Sequence, residues 1–244
     1  MKIAVAQISP IKGDVSANIE KHKKLIQLSV SHGAESIFFP ELSLTGYEPQ
    51  LAKNLAINQD DKLFDQFQDI SDTNKILIGL GMPTNANAGV RISMIIFQPG
   101  KPRQTYSKQQ LHDDELPYFV SGDTQILLTI GNEVIAPAIC YESLQISHAE
   151  NVNQLGGDIY VASVAKSKVG VDKAMVHYPA IAKKFSMAVL MANCVGNCDD
   201  FESVGMSAVF TNKGKLAGQM NDKEEGILVF DTQTYLSIII PITS

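Results

Sequence analysis

Cys140 ends the apolar run Val134-Ile135-Ala136-Pro137-Ala138-Ile139 and precedes Tyr141-Glu142-Ser143. That pattern predicts a buried strand feeding a turn, with a thiol on the turn. A thiol so placed is a nucleophile if one neighbour takes its proton and another stabilises the oxyanion it creates. Glu41, after Ile37-Phe38-Phe39-Pro40, and Lys108, after Gln104-Thr105-Tyr106-Ser107, stand in similar settings. Singly, each has an ordinary role: a small core residue, a helix cap, a solvated cation. Together, three reactive groups just past three expected strands point to one site at one sheet edge. The chemistry they fit is amide hydrolysis. Cys140 would attack the carbonyl carbon and form a thioester. Glu41 would carry the thiol proton to the leaving nitrogen and then activate water. Lys108 and the backbone N–H of Tyr141 would meet the oxyanion.

The elements that must position these groups alternate early in the chain. Residues 2–9 and 35–39 read as buried strands. A helix over 16–32 carries Ile19, Leu25, Ile26, Leu28 and Val30 on one stripe and stops at Gly33. A further helix is expected over 60–72, then strands near 75–80, 90–98 and 102–107. The polar stretch 108–123 reads as a surface loop beside the site. Strands at 125–130 and 133–139 lead to Cys140, with a helix at 144–155, a strand at 159–162 and a helix at 172–186. A strand at 188–191, a β-rich segment at 205–231 and a strand-sized tail at 236–241 follow. This alternation, with paired strands interrupting it later, predicts mixed sheets packed on helices. No Pro-, Gly- or Ser-rich linker divides residues 1–244, so one domain is expected.

Bulk properties narrow the function classes. The 244 residues are 45% hydrophobic with a formal net charge of −6. Acidic and basic residues are interspersed and no basic stripe appears, which argues against nucleic-acid binding. The apolar runs are too short for a membrane span, and the N-terminus lacks a signal-peptide pattern. Three cysteines without framework spacing fit reduced thiols in a cytoplasm. Cys194 and Cys198 have no second ligand pair for a metal, Gly79-Leu80-Gly81 lacks the rest of a dinucleotide fingerprint, and no Gly-x-Ser-x-Gly elbow exists.

These motifs, in this order, resemble the nitrilase, or carbon–nitrogen hydrolase, superfamily. Ile3-Ala4-Val5-Ala6-Gln7 resembles its first strand and Phe39-Pro40-Glu41-Leu42-Ser43-Leu44-Thr45-Gly46-Tyr47 its first catalytic motif. Tyr106-Ser107-Lys108 through Glu115, with Tyr118-Phe119 and Gly122, resembles its lysine motif. Ala138-Ile139-Cys140-Tyr141-Glu142 resembles its nucleophile motif. Met191-Ala192-Asn193 and Gly205-Met206-Ser207 match weaker landmarks. The resemblance implies a four-layer αββα sandwich, no cofactor or metal, and a homodimer or higher homo-oligomer. It implies a catalytic set of Glu41 as base, Lys108 as stabiliser and Cys140 as nucleophile, with Glu115 orienting Lys108 or substrate. Tyr47, Tyr141 and Glu142 are the expected substrate contacts. The chain departs from the family pattern at Ser143-Leu144-Gln145 and at Ala182-Lys183-Lys184-Phe185, which bears on pocket and subunit contacts. The leading expectation is hydrolysis of a small linear amide or carbamoyl compound. Nitrile hydrolysis and acyl transfer are alternatives on the same site, and a non-catalytic binding or scaffold protein is the alternative of another class.

Overall fold

Along β1 (Lys2–Gln7) the side chains divide by parity: Ile3 and Val5 join one buried cluster, Ala4 and Ala6 another. A strand buried on both faces needs a nearly continuous apolar run, which is what this segment has. The computed structural model describes residues 1–242. After β1 come α1 (Val15–Ser31), β2 (Ser36–Phe38), α2 (Pro49–Leu55), α3 (Asp65–Asn74), β3 (Leu77–Ala86), β4 (Gly89–Phe97) and β5 (Gln104–Ser107). The middle of the chain supplies β6 (Leu128–Ile130), β7 (Glu133–Ile139), α4 (Ile146–Gln154), β8 (Ile159–Val164), α5 (Lys168–Phe185) and β9 (Ala188–Asn193). Then follow β10 (Val195–Cys198), β11 (Phe201–Val204), β12 (Ala208–Phe210), β13 (Leu216–Gln219), β14 (Gly226–Asp231) and β15 (Ser237–Pro241).

Two large sheets result, ordered β15-β14-β1-β2-β3-β4-β5 and β13-β12-β9-β8-β7-β6, beside the small hairpin β10-β11. Ile3, Phe38 and Ile92 of the first sheet share a core with Ile135, Val161 and Leu190 of the second. On the outer face of the first sheet, Ala4, Ile37 and Ile78 pack with Ile19, Leu25 and Ile26 of α1 and Phe67 of α3. On the outer face of the second, Tyr160 and Val189 pack with Ala149 and Val152 of α4 and Tyr178 and Ile181 of α5. The layers are therefore helix, sheet, sheet, helix, the four-layer mixed α/β sandwich expected.

Strand direction decides where the chemistry emerges. β1, β2 and β3 are parallel; β4 is antiparallel to β3, and β5 to β4. β2 and β5 therefore point the same way, so Glu41 and Lys108 leave the first sheet at the same edge. β7, β8 and β9 are likewise mutually parallel, and their ends deliver Cys140, Lys166 and Asn193 together. Ser163 Oγ on β8 donates to the Phe39 carbonyl at 2.5 Å, tying the two edges directly above the site.

Four local features differ from the sequence expectation. The helix expected at 60–72 starts later, after a 3-10 turn at Lys62–Phe64, and α5 begins at Lys168, one turn earlier than expected. Helix α2 was not expected: it has seven residues, too few for a periodic stripe, and Pro49 fixes its first turn. The β10-β11 hairpin was also missed, because its strands have four residues each.

Candidate active site

Glu41 follows β2 across Phe39 and Pro40, on a turn in which Leu42 adopts φ 50°. Gly81 of β3 lies against this turn so closely that a Cβ there would come 2.3 Å from the Pro40 carbonyl and 2.4 Å from the Leu42 nitrogen. Only glycine permits that approach. Glu41 is 1% exposed and receives Lys108 Nζ on Oε1 at 2.8 Å. Lys108, also buried, donates to Glu115 Oε1 at 2.5 Å. The Tyr47 hydroxyl reaches the same Glu115 oxygen at 3.0 Å, and the His112 N–H reaches Oε2 at 2.8 Å. The lysine ammonium is thus fixed between two carboxylates, one from the turn after β2 and one from the 108–123 loop that the sequence left unstructured.

Cys140 opens a 3-10 turn, Cys140–Leu144, and holds φ 47°, a left-handed conformation that a β-carbon disfavours. The turn is pinned at several points. Ser143 Oγ donates to the Cys140 carbonyl at 2.5 Å and shares a hydrogen bond with the Tyr178 hydroxyl of α5 at 2.7 Å. Glu142 accepts from the Ile139 N–H at 2.7 Å and the Tyr106 hydroxyl at 2.6 Å through Oε1. Its Oε2 accepts from the Gln109 and Gln110 N–H groups at 2.6 and 3.2 Å. Glu142 therefore does not occupy the place expected of a substrate contact. It is fully buried, lies outside the cavity lining, and clasps the cysteine turn of one sheet to the lysine loop of the other.

The cavity itself has a volume of about 470 Å³. Cys140, Lys108 and Glu115 line it, as do both expected tyrosines, Tyr47 and Tyr141. Leu144, Ala165 and Phe201 add apolar wall, and Tyr47 packs edge-on to Phe201 with centroids 5.7 Å apart. Among the cavity residues that escaped the sequence reading, Lys166 lies nearest the chemistry, two positions beyond β8 with Nζ 3.7 Å from Cys140 Sγ. The signal was present, since Lys166 follows a buried strand as Glu41, Lys108 and Cys140 do.

Burial governs the titration of the set. It raises Glu41 above the ordinary carboxylate range, Lys108 opposes the rise, and Glu115 adds to it. Glu41 Oε2 has no hydrogen-bond partner among the described residues, while the Cys140 thiol is close enough to favour the ionised carboxyl. Burial also works against the Lys108 charge, yet Glu41, Cys140 and Glu115 outweigh it and hold the ammonium above the usual lysine range. Burial and then Glu41 push the Cys140 thiol up to about 11, with Lys166 and Lys108 pulling the other way. The arrangement pairs a resting thiol with a proton-hungry carboxylate and a permanent cation.

The carbon–nitrogen hydrolase family model matches residues 2–236. This chain is a carbon–nitrogen hydrolase. Among solved structures, the hydrolase superposes on the NitN amidase of Nesterenkonia sp. AN1 with a TM-score of 0.87 at 21% identity, covering 95% of this chain and 92% of that one. A mutant of that amidase in complex with butyramide gives a TM-score of 0.86 at 20% identity, covering 99% and 90%. Curated relatives include the glutamine-dependent NAD(+) synthetase of Aquifex aeolicus, 26% identical over 93% of this chain, and that of Thermotoga maritima, 22% identical over 95%. The hydrolase spans 41% and 42% of the length of those two relatives.

Elsewhere in the hydrolase, Cys194 and Cys198 are free, buried thiols outside the cavity lining. A hollow of about 700 Å³ beside the cavity shares Phe201 with it, but its charged lining is mainly acidic, Glu48, Asp199, Asp200 and Glu202, with Lys12 paired to Glu48. Among the described residues no helix is long and apolar enough to cross a membrane.

Proposed function

We propose that this hydrolase cleaves the C–N bond of a small linear amide or carbamoyl compound through a thioester on Cys140. The observation that carries the reading is that Lys108 and Cys140, from strand ends of both sheets, line one cavity, with Glu41 bonded to Lys108 at 2.8 Å just behind its wall. Cys140 Sγ attacks the carbonyl carbon as its proton passes to Glu41. Negative charge on the carbonyl oxygen is met by Lys108, which needs no proton transfer to do so. Collapse of the tetrahedral intermediate breaks the C–N bond, and Glu41 gives its proton to the departing nitrogen. Glu41, again a carboxylate, then takes a proton from water as that water attacks the thioester, releasing acid and restoring the thiol. Glu115 and Tyr47 serve by holding Lys108 in line.

The structural neighbour bound to butyramide and the glutamine-dependent relatives indicate what a substrate panel must contain: short aliphatic amides, glutamine-like amides, carbamoyl compounds and nitriles. Ammonia release across the panel, read beside intact-protein mass, tests the proposal. An acyl-sized adduct on Cys140 and ammonia release, both abolished by Cys140→Ala, are expected. Turnover that survives Cys140→Ala would reject the mechanism. Product analysis with an added amine separates hydrolysis from acyl transfer, because both share the thioester.

A further inference from the structure

Lys166 is a second buried lysine at the nucleophile, and its surroundings differ from those of Lys108. Its side chain lines the cavity and the residue is 5% exposed. Nζ lies 3.7 Å from Cys140 Sγ and forms no ion pair with a carboxylate among the described residues. No carboxylate partner accounts for a lysine at this point of the cavity wall, so its role is to be sought at the sulfur beside it.

Two features fix the residue. Asn193, at the end of β9, grips the Lys166 backbone on both sides: Oδ1 accepts from its N–H at 2.8 Å and Nδ2 donates to its carbonyl at 3.2 Å. Ser203 Oγ and the Val204 N–H donate to the same carbonyl at 3.1 and 3.2 Å. The lysine stem then lies over Gly170 in the first turn of α5, where a Cβ would stand 3.2 Å from Lys166 Cβ and 3.3 Å from Cγ. Glycine is a poor helix residue, and here it leaves room for the stem.

The balance of charge gives Lys166 its role. In the resting site Lys108 is bonded to both Glu41 and Glu115, while burial and Glu41 hold the proton on Cys140. When the thiol proton moves to Glu41, the S–H bond breaks, an O–H bond forms, and the negative charge leaves the carboxylate that Lys108 was matching. It arrives on sulfur, where Lys166 stands. We propose that Lys166 is a catalytic residue whose ammonium receives this charge and holds the Cys140 thiolate ready for attack. The inference rests on the nucleophile reading above.

Other groups act on the same sulfur. Glu41, Glu115 and Lys108 face it from the first sheet and its loops, and Lys166 from the end of β8. The Tyr47 and Tyr178 hydroxyls and the Cys194 thiol feel its charge from the first sheet's loop, α5 and the end of β9. His177 of α5 is held below the usual histidine range by burial and by Lys166. Of the groups that favour the thiolate, Lys166 acts most strongly, ahead of Lys108.

The test follows alkylation of Cys140 by iodoacetamide from about pH 6.5 to about pH 10, mapped by peptide mass, in wild type, Lys166→Met, Lys166→Gln and Lys166→Arg. Because the thiol titrates near 11, this window lies on the rising limb of the profile, so in the neutral variants the rate should fall roughly tenfold at every pH, while Lys166→Arg stays near wild type. Met and Gln variants are read together, so the profile comes from whichever retains the wild-type circular dichroism spectrum. A folded neutral variant with the wild-type profile would overturn the inference. A parallel series with iodoacetate guards against a different role: loss confined to the charged reagent would mean that Lys166 attracts the probe and does not stabilise the thiolate. Wild-type Cys140 no more reactive than buried Cys194 and Cys198 would overturn both this inference and the nucleophile reading. A reactive Cys140 indifferent to residue 166 would overturn this one alone.

Discussion

The two sheets bring different kinds of chemistry to the cavity. The first contributes Glu41 and Lys108, nearly inaccessible and joined by a 2.8 Å contact, with Glu115 closing the lysine from the other side. The second contributes Cys140 on a left-handed turn, and Lys166 at a looser 3.7 Å. Charges that must stay in place are locked by their counter-charges. The atom that must form and break a bond is held through the backbone and through its neighbours Ser143 and Glu142, leaving sulfur facing the cavity. Site precision here comes from the turns, and the buried ion pairs keep the two turns in register.

That contrast can be broken most severely at the sulfur. Cys140→Ala should reduce turnover of an identified substrate by at least about 10³-fold, as loss of a nucleophile does, with little change in melting temperature. Steady-state kinetics beside a thermal melt would show it, and a large drop in stability would mean that the cysteine turn is not the independent unit described. On the first sheet the pattern should invert. Lys108→Met leaves Glu41 and Glu115 buried without their counter-charge and should cost about 3–5 kcal/mol in urea denaturation. Lys166→Met orphans no carboxylate and should shift the midpoint far less; equal losses would erase the distinction between the two lysines.

A smaller effect is set by pH. The folded thiol titrates near 11 against an ordinary value of 9.0. The folded protein therefore holds this proton more tightly than the unfolded chain does. The stability it contributes is intact below pH 9 and is lost as pH rises toward 11, a decline of about 2–3 kcal/mol at about 1.4 kcal/mol per pKa unit. Urea titrations across that window should show wild type falling more steeply than Cys140→Ala; parallel curves would refute the linkage. Smallest is the clasp between the sheets. Tyr106→Phe removes one donor from Glu142 and a contact at 3.0 Å from His148, and should cost about 1.5–3 kcal/mol by chemical denaturation. An unchanged midpoint would mean that water replaces the hydroxyl.

Much of this was legible in the sequence because each reactive residue sits just past an apolar run, and such runs fix both the strand and the direction in which the next residues leave it. The parity of Ile3, Ala4, Val5 and Ala6 likewise shows a strand covered on both faces. What was not legible depends on where side chains point after a turn. Glu142 follows the nucleophile by two residues, yet the 3-10 turn aims it inward to four donors, away from the cavity. Lys166 also follows a buried strand, yet nothing in its spacing ties it to the thiol, and the grip of Asn193, remote in sequence, is what holds it there. Helix α2 and the β10-β11 hairpin are shorter than the periods that reveal them.

The position of β1 has a consequence for how the molecule is made. Its parallel partner, β2, is synthesised soon after it, but its antiparallel partner, β14, lies more than 200 residues later, with Lys2 opposite Asp231. At about 5–20 residues per second the ribosome needs roughly 10–45 s to deliver that strand. Throughout that interval the nascent chain carries Ile3, Ala4 and Val5 with one open sheet edge, the kind of surface that invites pairing with a neighbouring chain. The reactive residues have all been translated well before the edge is sealed, so the yield of this protein in a cell should depend on what shields β1 while translation continues.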